Sequence, residues 1–188
     1  MTPTKHAVVF IMAIVFLTRA GCTHCTRDYD NDLEILVDGQ PIPLKSLYPE
    51  DAKSMTIRPI GYVVNDKQRG EGGFGITGGD ISEIRLYPGM ARFMKGLADE
   101  TSLLILWHFH QARPIRSVFA RGYDGKQVGP FASRTPDRLT PIGVTDVELL
   151  EVKGTTLVVR GLDAFNGTPV LDIKVSMAGL RQSGRKQP

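Results

Sequence analysis

The stretch LLILWHFHQ, residues 103–111, ends in two histidines and a glutamine. Along an extended strand side chains alternate between faces, so His108 and His110 share one face and Trp107 and Phe109 the other. Two imidazoles at that spacing can chelate a metal, but the nearby sequence supplies no third histidine or carboxylate, so no metal site is expected. Packing inside a sheet and contact with a ligand at a strand end both stay open. A second stretch, FASRTPDRLTPIGVTDVEL, residues 131–149, sets Arg134 and Arg138 around Pro136 and Pro141 and then turns at Gly143 into an alternating strand pattern. Proline stiffens such a loop, and a guanidinium fork held in place matches a carboxylate or a phosphate. A third stretch, Asn166-Gly167-Thr168-Pro169, is a turn that offers an amide, a hydroxyl and backbone groups for hydrogen bonding.

The net charge of +3 on 188 residues is too small to define a polyanion binder, so any such surface must come from local clustering. One cluster exists. Residues 113–138 carry Arg113, Arg116, Arg121, Lys126, Arg134 and Arg138 against Asp124 and Asp137. The two readings are solvated loop charges and an RNA-facing surface, with Phe119 and Tyr123 available to stack on an unpaired base. Cys22-Thr-His24-Cys25 lacks the second ligand pair that a structural zinc site requires, and lacks the strand-then-helix setting of a redox pair. The six glycines of GEGGFGITGGD, residues 70–80, precede a strand pattern rather than a helix and lack a G-K-S/T ending, so they read as a connector or lid and not a phosphate loop.

These residues need a scaffold. Apolar and β-branched runs separated by turn signals predict strands over 57–64, 81–87, 103–109, 144–152, 156–161 and 170–175, and only 91–97 reads as helix. Strands without alternating helices imply a mainly β fold, an antiparallel or mixed sheet curled into a barrel. Ahead of it, residues 1–25 form a hydrophobic leader: Lys5, an eleven-residue apolar run over 7–17, then Ala20-Gly21-Cys22, a signal-peptide or lipoprotein-like layout that Arg19 fits poorly. Residues 26–54 read as a linker with one short hairpin turning at Asp38-Gly39. The barrel domain occupies 55–180 and a polar tail 181–188. Met55 is an alternative start that would remove the leader.

In order and spacing, LLILWHFHQ, GPFASRTPDRLTPIG and VRGLDAFNGTPVLDIK resemble the TsaA-like family, which includes TrmO-type tRNA methyltransferases. The resemblance covers roughly residues 55–180. It implies a barrel-like β domain, commonly a homodimer, that binds S-adenosylmethionine and methylates the exocyclic amine of a modified adenosine in tRNA. It also implies cofactor contacts at His110, Gln111, Arg134, Val144, Asn166, Gly167, Thr168 and Pro169. RNA contacts would fall to Arg113, Arg116, Arg121 and Arg138, and His110 or Asp163 would be the candidate proton acceptor. Four departures fall in the presumed site loops. Leu139-Thr140 replaces Pro-Asn, Asn166 replaces Asp, Lys67-Gln68-Arg69 stands near a missing Pro-Arg-Gln, and Val175-Ser176 replaces Pro-Tyr. They leave room for a non-catalytic binding module, or for an exported lipoprotein using the barrel for interactions. A methyltransferase would be cytoplasmic, whereas the leader would give a membrane-attached protein.

Overall fold

The computed structural model of the chain describes residues 34–37, 40–53, 55–68, 79–113 and 115–177. The leader with its Cys-Thr-His-Cys, Asp38-Gly39, the glycine-rich segment up to Gly78 and the polar tail lie outside the described residues. Among the described residues eleven strands follow in order: β1 (Glu34–Val37), β2 (Gln40–Pro43), β3 (Gly61–Val64), β4 (Ile81–Leu86), β5 (Ser102–His108), β6 (Ile115–Arg116), β7 (Phe119–Ala120), β8 (Gln127–Val128), β9 (Ile142–Lys153), β10 (Thr156–Arg160) and β11 (Pro169–Val175). Six of them close a barrel in the order β10-β4-β3-β11-β5-β9, and every pairing in it is antiparallel.

Period-two alternation is what closes it. In β5 the buried positions are Leu103, Ile105 and Trp107, and in β10 they are Leu157 and Val159. With Val63, Ile84, Leu86, Val147 and Val170 these side chains fill the interior. Each is worth roughly 1.5–3 kcal/mol when removed from water, which is why slipping any strand by one residue is disfavoured. A second, smaller core of Ile35, Leu44 and Ile115 lies outside the barrel, where β1 pairs antiparallel with β2 and parallel with β6.

The predicted strands match the observed ones closely, with three instructive differences. β3 starts at Gly61 rather than at 57, because Pro59 has no N–H to give a ladder. β5 stops at His108, because the His110 N–H turns back onto the His108 carbonyl at 2.8 Å while Phe109 N–H bonds Pro141 O. The expected helix over 91–97 is instead two 3₁₀ segments, Pro88–Phe93 and Leu97–Asp99, separated by Gly96 at φ 82°, a left-handed conformation that an α-helix cannot absorb.

Gly143 faces Trp107 across the β5–β9 ladder. A Cβ built on Gly143 would lie 2.4 Å from Trp107 Cε2, so the indole rests directly on the glycine backbone. The indole N–H is satisfied by Thr145 Oγ1 at 3.1 Å, and its ring meets Phe109 edge-on at 4.4 Å. We predict that Gly143→Ala lowers stability by about 1–3 kcal/mol, because the rigid ring has to be displaced. Urea unfolding checks this; a midpoint equal to wild type would show that the ring is not confined there.

Candidate functional site

The topology places three of the barrel's connections at one end. There β3, β5 and β10 finish and β4, β9 and β11 begin, so segments 65–80, 109–141 and 161–168 all leave from the same rim. At this rim Lys67, Gln68, Gln111 and Asn166 line a cavity of about 300 Å³.

The 161–168 connection is held from two sides. Thr168 is buried at 1% exposure; its carbonyl accepts from Val63 N–H at 2.9 Å, and Gly167 N–H donates to Val63 O at 2.8 Å with Gly167 in a left-handed turn at φ 77°. Thr168 Oγ1 lies 3.2 Å from His110 Nδ1, and Gln111 Nε2 lies 3.1 Å from His110 Nε2. A carboxamide and a hydroxyl thus engage the two ring nitrogens of His110. His110 therefore ties the end of β5 to the start of β11 and orients Gln111 at the cavity. The other candidate acceptor, Asp163, is exposed and absent from the cavity lining.

Asn65 supports the same loop. Its Nδ2 donates to Ser82 Oγ and to Ala164 O, both at 2.9 Å, its Oδ1 accepts from Lys67 N–H at 3.1 Å, and its N–H reaches Asn166 Oδ1 at 3.3 Å. Lys67 Nζ is fixed between Leu162 O at 3.1 Å and the Asp80 carboxylate at 3.0 Å, which stations a cation at the cavity. Asn65 was not singled out from the sequence, and Lys67 and Gln68 were noted only as standing near a missing Pro-Arg-Gln. The available signal was a polar run, Asn-Asp-Lys-Gln, directly after the strand Tyr-Val-Val.

The remaining candidates lie elsewhere on the rim. Arg134 is exposed and donates to Val144 O at 3.1 Å, so these two meet each other but do not line the cavity. Pro169 is buried as the first residue of β11. Arg138 donates to Ser133 O at 3.2 Å, closing its own loop. Arg113 and Arg116 are exposed, and the Arg113 N–H binds Asp137 Oδ1 at 2.7 Å. Arg121 is engaged internally: it pairs with Asp124, donates to Ala132 O at 3.1 Å and lies 4.4 Å from the Tyr123 ring. The hydrogen bond from Arg121 holds the Asp124 carboxyl below its ordinary range. His108 and His110 do not form a chelating pair with a third ligand, since among the described residues no group of three His, Cys, Asp or Glu side chains could hold a metal. Burial, reinforced by His110, keeps the His108 pKa below its ordinary value and favours the neutral ring.

We predict that Asn65→Ala costs about 1–3 kcal/mol by leaving Ser82 Oγ and the Ala164 carbonyl without their partner. Hydrogen exchange should show faster opening at Asn166, Gly167 and Thr168 than in the barrel strands; unchanged exchange there would contradict the assignment of Asn65 as their support.

Residues 75–179 match the model of the tRNA-methyltransferase O N-terminal domain. A probable S-adenosyl-L-methionine-binding protein of Methanothermobacter thermautotrophicus is 40% identical over 121 residues, covering 63% of this chain and 87% of that protein. The human tRNA (adenine(37)-N6)-methyltransferase is 32% identical over 97 residues, covering 50% of this chain and 22% of that protein. The crystal structure of TrmO from P. aeruginosa superposes with a TM-score of 0.55 at 26% identity, over 69% of this chain and 57% of that one. Other archaeal relatives are likewise matched over only 25% and 50% of their lengths. With its closed antiparallel barrel and more than half of its length matched, the chain belongs to the tRNA-methyltransferase O N-terminal domain family.

Proposed function

We propose that the chain is an S-adenosylmethionine-dependent methyltransferase whose acceptor is the exocyclic amine of an adenine in tRNA. The observation that carries this is the meeting of three connections, each bearing hydrogen-bonding side chains, on one cavity within or beside the family-matched segment. The names of the Methanothermobacter and human relatives support the donor and the acceptor respectively.

The residues present fit the donor. Two neutral carboxamides, Gln111 and Asn166, suit the heteroatoms of an adenine and a ribose, and the fixed Lys67 ammonium suits a carboxylate. When bound, S-adenosylmethionine supplies an electrophilic methyl on a sulfonium sulfur. The protein's task is then to position rather than to activate: holding two reactants near contact distance accounts for a large share of such a barrier. His110 serves this by orienting Gln111, and Asn65 by fixing the Asn166 turn. The exposed Arg113 and Arg116, with Tyr123 exposed on the β7–β8 turn, supply charge and a ring face for a polynucleotide on the 109–141 connection. A second reading, a module that binds the nucleoside without transferring its methyl, is favoured by the engagement of both His110 nitrogens.

Trp107, the only tryptophan of the chain, is three residues before His110 and offers a fluorescent report on the site. Titration with S-adenosylmethionine should change its emission, and Gln111→Ala and Asn166→Ala should each weaken binding by about tenfold, the worth of one buried hydrogen bond. Affinities within about twofold of wild type in both variants would remove the assignment. Labelled methyl transfer to unfractionated tRNA separates the enzyme from the binding module, and recovery of the protein in membranes with lipidated Cys22 would point away from a tRNA substrate.

A further inference from the structure

The β1–β2 hairpin lies outside the family-matched residues 75–179, yet it docks on the loop that carries Arg134 and Arg138. Three contacts make the attachment. β1 pairs in parallel with β6 through Ile35 against Ile115 and Leu36 against Arg116, and the ladder is extended by Ser117 N–H to Leu36 O at 2.9 Å. Ile35, Leu44 and Ile115 are buried at 3%, 6% and 5% exposure as one core. Leu139 packs against that core, together with Val37 and Ile42.

Leu139 is the link between this core and the rim. It follows directly on a segment that is otherwise held by short polar bonds: Thr135 N–H to Ser133 Oγ at 3.3 Å, Asp137 N–H to Thr135 Oγ1 at 3.2 Å, Arg113 N–H to Asp137 Oδ1 at 2.7 Å and Arg138 Nη1 to Ser133 O at 3.2 Å. Bonds of this kind define the shape of the loop but compete with water, since Arg113 and Arg134 are exposed. An apolar anchor is what fixes its position relative to the barrel.

We propose that the β1–β2 hairpin is a clasp for the Ser133–Leu139 loop and that Leu139 is a positioning residue, setting where the exposed Arg134 stands beside the cavity and so the affinity of the protein for an anionic group of its ligand. The ligand part rests on the methyltransferase reading; the clasp itself does not.

The test uses the full chain with three substitutions. Leu139→Ala cuts the contact at the loop, Ile35→Ala cuts it from the hairpin without touching a rim residue, and Leu139→Met keeps it. Hydrogen exchange at Arg113, Thr135 and Asp137 is expected to accelerate by about tenfold in both alanine variants, with β5 and β10 amides unchanged and the methionine variant close to wild type. The same alanine variants should bind S-adenosylmethionine about fivefold more weakly, or raise KM for tRNA with kcat retained. Unaltered exchange in the loop, or equal acceleration in the barrel strands, overturns the clasp. Faster loop exchange with unchanged binding and KM overturns the positioning role of Leu139. Wild-type protein that binds no S-adenosylmethionine would instead count against the methyltransferase reading, and exchange would still decide the clasp.

Discussion

The indole of Trp107 lying on the bare backbone of Gly143 is the constraint on which the rest of the structure depends. It fills the barrel beside the rim, at the point where β5 ends and β9 begins. Its N–H is answered by Thr145, the next inward residue of β9, so the largest interior side chain is buried without an unpaired donor. Because the ring cannot shift without displacing Phe109, the chain leaves β5 in one direction only. That direction delivers His110 to Thr168 and Gln111 to the cavity.

From there the site is built by relays rather than by direct attachment of each group to the barrel. His110 joins the β5 exit to the β11 entry, Asn65 joins the β3 exit to the 161–168 turn, and Lys67 joins that turn to the start of β4 through Leu162 and Asp80. Each relay links two connections that are far apart in sequence. The rim therefore behaves as a single unit whose parts hold each other in place, which is what a binding site relying on orientation requires. The basic 109–141 connection is joined to this unit through Pro141 and Val144, and to the small outer core through Leu139.

Much of this was legible in the sequence. Alternation in LLILW, in VTDVEL and in TLVV marks inward and outward faces, and five of the six barrel strands could be placed to within two residues at each end. The Asn166-Gly167-Thr168-Pro169 stretch reads as a turn from its residue types, and Gly167 takes a left-handed conformation there. What alternation does not carry is pairing between loops. Asn65 looks like an ordinary strand-end polar residue, and its importance comes from Ser82 and Ala164, the latter 99 residues away. Leu139 looked like the loss of a proline from a loop, and its partner core is supplied by a hairpin some 100 residues earlier in the chain. The misread helix over 91–97 has a local cause: the apolar spacing is helical, but Gly96 interrupts it with a positive φ. Six basic residues in one stretch left solvated loop charges and a polyanion surface both open; Arg121 and Arg138 spend their guanidinium groups on the loop itself, leaving Arg113 and Arg116 more open.

In the proposed function the 65–68, 110–111 and 166–168 segments grip one nucleoside together. Backbone amide chemical shifts recorded while S-adenosylmethionine is added test it most directly. Saturable shifts with a common dissociation constant are expected at Lys67, Gln111, Asn166, Gly167 and Thr168, with little change at the opposite end of the barrel around Gly154 and Met90. Shifts confined to one of the three segments, or centred on that opposite end, would contradict it.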